Sequence, residues 1–545
     1  MKVSQAVGEA LARLGVRQAF GLLGSGNLEV TNALVASGAN FVASRHETGA
    51  VTMADAYARV SGQLGVCTVH QGPGLTNAVT GLAEAAKSRT PLLLLAAEPD
   101  SAAIRSNFKI DQTSLVASVG AVAERLHRPE TAISDTARAV HRALAGRLPV
   151  VLMMPLDVQA KDAIAAEPMQ PIPLPRPVPP AIEAVAEVVE CIAKARRPLI
   201  LAGRGAVLAG AREPIEQLGD RIGALFATSA VANGLFAGNP WSLGISGGFA
   251  TPLAAELIAD ADLVLGFGAS LNMWTTWHGR LVSPSAVVVQ VDADVNALGS
   301  HHRVDRVVLG DVGKTAEALI DAVSHHHAGW RTPELAERIQ GSAWRKVPYQ
   351  DAGTADCIDP RTLSIALDDI LPADRAVAVD SGHFMGYPPM YLAVPGPDAF
   401  VFTQGFQSIG LGLASAIGAA VARPDRLTVA ALGDGGALMA LPELETAARL
   451  GLHILIVVYN DAAYGAEVHH FRPMGQSVDL VQFPDTDFAS IGRAIGLAGV
   501  TVRRREDLDS VQEWVSAGTG GGLIVDAKVV PTVVADWLEA AFRGH

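Results

Sequence analysis

Short apolar runs, each followed by glycine or polar residues, recur along the chain and alternate with segments in which apolar residues have helical spacing. The runs at 65–71, 150–154, 263–267, 427–432 and 453–459 are rich in β-branched residues, which predicts strands buried on both faces of a parallel sheet. The intervening segments predict helices, because residues three and four positions apart share one helix face. The alternation predicts an α/β fold built from doubly wound parallel sheets.

A proline-dense segment at 168–180, PMQPIPLPRPVPP, predicts a semi-rigid extended spacer. Alternating strand and helix patterns lie on both sides of it, and a length of 545 residues suggests about three or four domains. We therefore predict three doubly wound domains, at 1–165, 181–330 and 356–545.

The composition narrows the class of partners. A formal charge of −13 argues against binding of nucleic acid or of an anionic membrane surface. The three cysteines, Cys67, Cys191 and Cys357, are far apart in sequence, which fits a reducing compartment. The sequence begins with an amphipathic helix pattern instead of an apolar signal region, and no apolar run reaches the roughly 20 residues that span a bilayer. These features predict a cytoplasmic protein without a membrane partner.

The segment between 427 and 465 carries the strongest candidate chemistry. Its first predicted strand ends in a glycine-rich turn, and its second ends at Asn460 and Asp461; the turn consists of Gly433, Asp434, Gly435 and Gly436. The carboxyl ends of parallel strands meet at one sheet edge, where open sheets bind ligands. Glycines let a backbone approach a diphosphate closely, and carboxylate and amide oxygens suit Mg²⁺. The segment therefore predicts a site for a diphosphate group and Mg²⁺.

This arrangement resembles the GDG…N motif of the thiamine diphosphate-dependent enzymes, a superfamily that includes acetolactate synthase and benzoylformate decarboxylase. The resemblance implies that Asp434 binds Mg²⁺ and that the turn, with the closing Tyr464-Gly465, contacts the cofactor. Counted back from that pair, the metal-binding asparagine of the family falls on Asp461, directly after Asn460, so either side chain is a candidate ligand. The third protein ligand is implied to be the backbone carbonyl of Ala463.

In the first domain, RHETGAVTMADAYARVSG resembles the segment that carries the activating glutamate of these enzymes. The resemblance implies that Glu47 hydrogen-bonds N1′ of the aminopyrimidine and favours the imino tautomer, whose N4′ removes the C2 proton. From the residues alone, Glu47 is also a carboxylate at a helix start, where the macrodipole favours negative charge. In the superfamily this glutamate serves the diphosphate site of another subunit, which implies a homodimer or homotetramer with active sites at the subunit interface.

Four further residues resemble positions that line the substrate pocket of these enzymes: Ser25, His70, Gln112 and His470. Ser25 and His70 match a serine and a histidine of benzoylformate decarboxylase, and Gln112 matches a glutamine of acetolactate synthase. Two histidines near the reacting carbonyl suit proton transfer, because imidazole titrates near neutral pH. Each of the four also has a structural interpretation, as a turn, loop, solvated or buried polar residue.

In the third domain, two segments resemble those that hold the cofactor. Gly382 and His383 match residues that contact the diphosphate, and a neutral histidine can donate to a phosphate oxygen. Ile409 matches the bulky apolar residue that holds the cofactor in a V shape, and the carbonyl of Gln407 is implied to accept from the 4′-amino group. Ile409 is also explained as an ordinary core residue.

The resemblance covers nearly the whole chain, as a pyrimidine-binding, a middle and a diphosphate-binding domain. It implies thiamine diphosphate and Mg²⁺ as cofactors and a 2-oxo acid as substrate. FAD is not expected in the middle domain, because the arginine-rich flavin signature of acetolactate synthases is absent where residues 271–278 stand.

Three hypotheses about function follow. The first is an acetolactate synthase-like carboligase, favoured by the overall resemblance of the segments. The second is a non-oxidative lyase like benzoylformate decarboxylase, favoured by His70 and Ser25. The third is a catalytically silent regulatory relative that binds the cofactor, against which the intact Glu47 and GDG turn argue.

Overall fold

The computed structural model describes residues 1–164, 171–518 and 520–538. It contains three sheets of six strands, and in each sheet all paired strands are parallel. The predicted α/β class with three doubly wound sheets is therefore confirmed. Of the proline-dense segment, 168–170 lies outside the described residues, and 171–180 contains no helix or strand.

The first sheet has its strand order reversed between the strands β1 and β3. Its strands are β1 (Gln18–Gly21), β2 (Asn40–Ala43), β3 (Gly65–Val69), β4 (Leu92–Glu98), β5 (Val122–Arg125) and β6 (Pro149–Pro155). Its helices are α1 (Val3–Arg13), α2 (Leu28–Ala36), α3 (Glu47–Ser61), α4 (Pro73–Lys87), α5 (Gln112–Ser118), α6 (Ala132–Gly146) and α7 (Leu156–Gln159). The order is β2-β1-β3-β4-β6-β5.

The second sheet is also parallel, but its strand order differs from that of the first. Its helices are α8 (Ile182–Lys194), α9 (Arg204–Leu208), α10 (Arg212–Ile222), α11 (Pro252–Ala259), α12 (Val312–Ala322) and α13 (Pro333–Gln340). Its strands are β7 (Pro198–Ala202), β8 (Leu225–Thr228), β9 (Ser242–Ile245), β10 (Leu263–Phe267), β11 (Val287–Asp292) and β12 (Arg306–Leu309). They are ordered β12-β11-β10-β7-β8-β9, which reverses between β7 and β10.

The third sheet reverses between β13 and β15. Its strands are β13 (Arg375–Val379), β14 (Phe400–Phe402), β15 (Leu427–Gly433), β16 (Ile454–Asn460), β17 (Ala498–Val502) and β18 (Gly522–Lys528), in the order β14-β13-β15-β16-β18-β17. Its helices are α14 (Pro360–Ile370), α15 (Tyr387–Tyr391), α16 (Gly412–Ala422), α17 (Asp434–Met439), α18 (Pro442–Arg449), α19 (Gly465–Phe471), α20 (Phe488–Ala494) and α21 (Asp509–Ala517).

The apolar runs become strands that are buried along nearly their whole length. β10 coincides with the predicted strand at 263–267, and β15 and β16 each extend one residue beyond the predicted carboxyl end. α4 begins at Pro73, because proline suits the first turn of a helix. Within the described parts of the chain, no helix is both long and apolar enough to cross a membrane.

The first and third sheets are joined through one hydrophobic cluster, which contains buried side chains of α3, α4 and α16. α3 and α16 approach closely at Gly418, where a Cβ atom would lie 2.2 Å from the carbonyl oxygen of Met53. The carboxyl ends of the first and third sheets are therefore held in a fixed relation within one chain.

Replacing Gly418 by alanine is expected to destabilise the protein by about 1–3 kcal/mol, because the added methyl group meets backbone instead of a side chain that can rotate away. Denaturant-induced unfolding measures the change. Gly313→Ala in α12 is the matched control, since its Cβ would meet only ordinary contacts, the nearest at 3.4 Å, and alanine favours a helix. Equal stability of the two variants would contradict the close approach of α3 and α16.

Candidate active site

A cavity of about 270 Å³ opens at the carboxyl edge of the third sheet, where the strand order reverses. The turn after β15 and the loops after β13 and β16 form most of its wall. Trp274, from the second sheet's connections, and a segment after β18 that includes Trp537 complete the lining. A cavity at this topological switch point is the usual ligand site of an open parallel sheet.

Two carboxylates stand on this cavity at adjacent strand ends. Asp434 begins α17 directly after β15, and Asp461 follows the last residue of β16. Burial raises the pKa of Asp434 to about 6. Burial, and secondly the charge of Asp434, raises the pKa of Asp461 to about 7. A bound cation would relieve the repulsion between two such carboxylates.

The donor set fits Mg²⁺ when a ligand contributes oxygens as well. Ala463 lines the cavity beside the two aspartates, and its N–H donates to Asp461 Oδ1 at 3.3 Å. In the described part of the chain, no group of three or more histidine, cysteine, aspartate or glutamate side chains is arranged to hold a metal. Two carboxylates and one carbonyl leave coordination positions for diphosphate oxygens and water, as Mg²⁺ prefers.

Asn460 is directed away from the cavity, although the sequence left it as an alternative metal ligand. Its side-chain amide donates to Asp526 Oδ1 at 2.9 Å and to the carbonyl oxygen of Thr486 at 3.1 Å. Its Oδ1 accepts the N–H of Ala462 at 3.2 Å. Because both polar atoms of the amide are used inside the third sheet, we correct this alternative: Asp461, and not Asn460, faces the cavity.

The glycines after β15 are required by close packing. The sequence pattern predicts a break there, but α17 begins at once with Asp434. A Cβ atom on Gly435 would lie 2.8 Å from the ring of Tyr464, and one on Gly436 would lie 2.4 Å from Asp380 Oδ2. Gly433, the last residue of β15, also lines the cavity.

Asp380 fixes the neighbouring loop. It is fully buried and accepts the N–H groups of Gly410 at 3.0 Å and of Leu411 at 3.2 Å. This holds Ile409 against the glycine turn, and both Ile409 and Gln407 line the cavity. Gln407 has a φ of 62°, a conformation that costs free energy for a residue other than glycine.

His383 is a neutral donor on the cavity wall. Its Nε2 accepts the N–H of Ala535 at 2.9 Å, which places the ring proton on Nδ1. Burial, and secondly the neighbouring His469, lowers the pKa of His383 to about 3, so the ring stays uncharged. Nδ1 lies beside Gly465 at the start of α19, and Gly382 precedes the histidine with a φ of 137°.

Three more donors on the cavity wall have no partner among the described residues: the Tyr387 hydroxyl, Gln404 Nε2 and Trp537 Nε1. An unpaired buried donor costs free energy, so the set fits a ligand with several acceptor oxygens, such as a diphosphate. The sequence does not reveal these residues as part of the site. They come from separate segments, and no local pattern brings them together.

Glu47 is the first residue of α3, and its side chain is buried. Its Oε2 accepts the side-chain amide of Asn77, on α4, at 3.0 Å. The residue does not line the cavity of its own chain. It lies instead at the carboxyl edge of the first sheet, in the connection that follows β2.

His70 and Ser25 lie near Glu47. A Cβ atom on Gly74 would be 3.2 Å from His70 Cβ and 3.6 Å from Glu47 Oε1. His70 Nδ1 accepts the N–H of Gly26 at 3.3 Å, and burial lowers the pKa of His70. Ser25 is exposed in the same turn. The structure thus brings Glu47, His70 and the Ser25 turn together.

Gln112 and His470 are placed differently from the expectation. Both ends of the buried Gln112 amide are used: Oε1 accepts the N–H of Gly72 at 3.1 Å, and Nε2 donates to the carbonyl of Ala97 at 3.1 Å. Gln112 therefore holds a turn. His470 is partly exposed and packs edge-on against Phe471, and it is His469 that contacts His383. Within this chain, His470 does not line the cavity.

The glycine-containing turn after β7 packs against the loop that follows β10. A Cβ atom on Gly203 would lie 2.3 Å from the carbonyl oxygen of Gly268. The Arg204 guanidinium donates to the carbonyl of Ser88 at 2.6 Å, and burial lowers the pKa of Arg204 to about 10. The Arg204 contact ties the second sheet to the first, and the close approach at Gly203 explains why residue 203 is a glycine.

Three doubly wound units, with a cavity at the switch point of the third sheet and a buried glutamate at the edge of the first, have the architecture of thiamine diphosphate-dependent enzymes. The chain matches three family descriptions in succession. Residues 1–115 match the thiamine pyrophosphate enzyme N-terminal TPP binding domain, 185–319 the central domain and 380–526 the C-terminal TPP binding domain. The chain belongs to the thiamine pyrophosphate enzyme family.

Its relatives differ in the reaction that they are named for. An acetolactate synthase large subunit of Parasynechococcus marenigrum is 30% identical over 91% of this chain and 83% of its own length. A probable 2-ketoarginine decarboxylase of Pseudomonas aeruginosa is 32% identical over 95% of this chain and 92% of its own. A sulfoacetaldehyde acetyltransferase of Castellaniella defragrans is 29% identical over 93% and 89%. The chain is therefore a thiamine diphosphate-dependent enzyme, and its substrate is a separate question.

Proposed function

We propose that the protein is a thiamine diphosphate- and Mg²⁺-dependent carboligase that acts on a 2-oxo acid and resembles acetolactate synthase. The observation that carries the proposal is the cavity on the third sheet. There the aspartates Asp434 and Asp461 lie beside donors that lack a protein partner. This combination suits a cation that bridges the protein and a diphosphate.

In the proposed complex, Asp434, Asp461 and the carbonyl of Ala463 hold Mg²⁺. The diphosphate receives hydrogen bonds from His383 Nδ1 and from the unpaired donors of Tyr387 and Gln404. The turn glycines, together with Tyr464 and Gly465, form the floor beneath it. Each of these residues lines the cavity, which supports the assignment.

Bound thiamine diphosphate would supply a nucleophilic carbon at C2 and an electron sink for the decarboxylation of a 2-oxo acid. Ile409 would support the cofactor, and the carbonyl of Gln407 would accept a hydrogen bond from its amino group; both residues line the cavity. Glu47 holds a proton at the pyrimidine nitrogen N1′ in a site that excludes water. The burial of Glu47 and its single amide contact support this role.

We propose that the active unit is a homodimer, or a homotetramer built from such dimers. Glu47 and His70 lie outside the cavity of their own chain, so a complete site needs the first domain of a partner. Exposed apolar side chains near Glu47 and near the cavity support this arrangement: Leu23, Leu28 and Phe108 on the first domain, and Leu438, Met439 and Phe471 on the third.

The proposed pyrimidine-binding, middle and diphosphate-binding domains span 1–165, 181–330 and 356–545.

Product analysis tests the function. With thiamine diphosphate, Mg²⁺ and pyruvate, we expect release of CO₂ and formation of acetolactate, or of acetoin derived from it, and we expect EDTA to abolish both. The second candidate is a simple decarboxylase, favoured by the position of His70 near Glu47 and by the relative named as a probable 2-ketoarginine decarboxylase. An aldehyde as the only product from pyruvate, benzoylformate or 2-ketoarginine would establish it. Absence of CO₂ release from all three would contradict both candidates.

A further inference from the structure

A buried carboxylate from the third domain caps the turn that carries Glu47. Glu443 lies on α18 and is 2% exposed. Its Oε1 accepts the backbone N–H groups of Arg45 and His46, each at 3.0 Å. Its Oε2 accepts the hydroxyl of Thr446 at 2.6 Å. Arg45 and His46 directly precede Glu47, so this contact sets where α3 begins.

The first turn of α3 leaves space for the Glu443 carboxylate. A Cβ atom on Gly49, in the first turn of α3, would lie 2.4 Å from Glu443 Oε1, so only glycine leaves room. Burial raises the pKa of Glu443, which means that burying the charge costs free energy. The partners that offset this cost are backbone N–H groups at a helix start, where a negative charge is favoured. A simple surface contact would not require such an arrangement.

Glu445, two residues further along the same helix, shows the contrast. Its carboxylate pairs with the side chain of Arg45 at 2.6 Å, and both side chains are substantially exposed. Exposed pairs of this kind add little to stability. The same short segment is therefore held through its backbone by Glu443 and through one side chain by Glu445.

A second carboxylate makes the reciprocal contact between the same two domains, from the first domain to the third. Glu84, on α4, accepts the N–H groups of Gly405 at 3.2 Å and of Phe406 at 2.7 Å. These residues directly precede Gln407 on the cavity wall. Each of the two domains thus holds a backbone segment of the other. Each segment directly precedes a residue of the proposed cofactor site: Glu47 in the first domain and Gln407 in the third.

We propose that Glu443 is a positioning residue: from α18 it holds the Arg45–His46 backbone, and thereby fixes Glu47 at the start of α3. The inference rests on the proposed function, since it concerns how Glu47 is presented to thiamine diphosphate. Glu443 does not touch the cofactor site itself, because it is not part of the cavity wall. Its removal therefore affects the placement of Glu47 more than the binding of the diphosphate.

Two measurements on Glu443→Ala, Glu443→Gln and Glu445→Gln test the inference. The first is amide hydrogen exchange, by mass spectrometry, of the peptide that contains Arg45 and His46 in the cofactor-free protein. We expect exchange about 10- to 100-fold faster in Glu443→Ala, because two backbone donors lose a charged acceptor. We expect an intermediate rate in Glu443→Gln, which keeps one acceptor oxygen, and the wild-type rate in Glu445→Gln.

The second measurement is C2 hydrogen–deuterium exchange of bound thiamine diphosphate, with the cofactor Kd measured in parallel. We expect Glu443→Ala to lower the C2 exchange rate about tenfold or more while the Kd changes less than about threefold, and Glu443→Gln to restore part of the rate. If Glu443→Ala does not fold, Thr446→Val takes its place, because it removes only the hydroxyl contact to Glu443. We expect this variant to lower the C2 exchange rate by a smaller factor.

The outcomes separate the inference from the proposed function. Fast C2 exchange in the wild type and an equal rate in folded Glu443→Ala overturn the positioning role and leave the proposed function standing. An equal loss of rate in Glu445→Gln also overturns it, because a general disturbance of α18 then explains both variants. Absence of C2 exchange in the loaded wild type overturns the proposed function, and the inference with it.

Discussion

Glu47→Gln is expected to slow C2 hydrogen exchange of bound thiamine diphosphate, and turnover with it, by about 10²–10⁴-fold. A glutamine occupies the same space as the glutamate but cannot give or take a proton at the pyrimidine nitrogen. Because Glu47 is buried, water cannot replace the missing proton. The cofactor Kd should change far less, since the diphosphate and metal contacts lie on another domain.

The local structure indicates that Glu47→Gln removes the proton transfer without disturbing the neighbouring contacts. Glu47 accepts one side-chain hydrogen bond, from Asn77, and a glutamine Oε1 can accept the same bond. Asn77→Ala serves as the control: it removes that contact but leaves the carboxylate, so we expect a loss of about tenfold or less. Wild-type exchange in Glu47→Gln would show that another group holds the proton.

The strands could be predicted because a strand buried on both faces leaves an unbroken apolar run in the sequence. β10 and most of β15 and β16 follow from this signal alone. The start of α17 could not be predicted in this way, because Gly435 and Gly436 indicate a break. The helix forms there nonetheless, since Asp434 suits a helix start and the glycines relieve contacts with Tyr464 and Asp380.

The candidate site was predictable where it depends on strand ends. The topology of a parallel sheet brings the residues after β15 and β16 together, whatever else the chain does. Trp274, Tyr387 and Trp537 reach the cavity from distant segments, which no local pattern reveals. The sequence of α18 also gives no sign that Glu443 and Glu445 differ in burial. Packing against α3 buries Glu443 and leaves Glu445 at the surface.

Asp434→Asn is expected to weaken the Mg²⁺-dependent binding of thiamine diphosphate by about 100-fold or more, equivalent to about 3 kcal/mol. Asp434 begins α17 on the cavity floor, and its carboxylate is the proposed ligand from the glycine turn. Asn lacks the charge that attracts a hard cation. Titration of the cofactor-free variant with thiamine diphosphate at several Mg²⁺ concentrations measures the change.

Asp461→Asn is the matched variant, and we expect it to bind cofactor within about tenfold of the wild type. Asp461 has the higher pKa of the pair, about 7 against about 6, so it contributes less negative charge near neutral pH, and an amide oxygen can replace it as a ligand of Mg²⁺. Equal losses in the two variants would show that both charges are needed. Binding by Asp434→Asn at wild-type strength would remove the metal site from the turn after β15.

The same two carboxyls give the cofactor-free protein a distinct dependence of stability on pH. Burial raises the pKa of Asp434 to about 6 and, with the charge of Asp434, that of Asp461 to about 7, whereas an unfolded aspartate titrates near 3.9. At these two carboxyls the native state therefore binds more protons than the unfolded state, so their contribution to stability falls as the pH rises from about 4 to 7. Buried His383, whose pKa is lowered to about 3, contributes with the opposite sign below about pH 6.5. Thermal unfolding of the metal-free protein from pH 5 to pH 7.5 should therefore show the decline as a difference between the wild type and Asp461→Asn, which share His383. Mg²⁺ with thiamine diphosphate should remove most of it, and Asp461→Asn should flatten it without ligand, because that variant has one buried carboxyl fewer and no like charge beside Asp434. A wild-type stability that does not fall relative to that of Asp461→Asn over this pH range would contradict the pairing of the two aspartates.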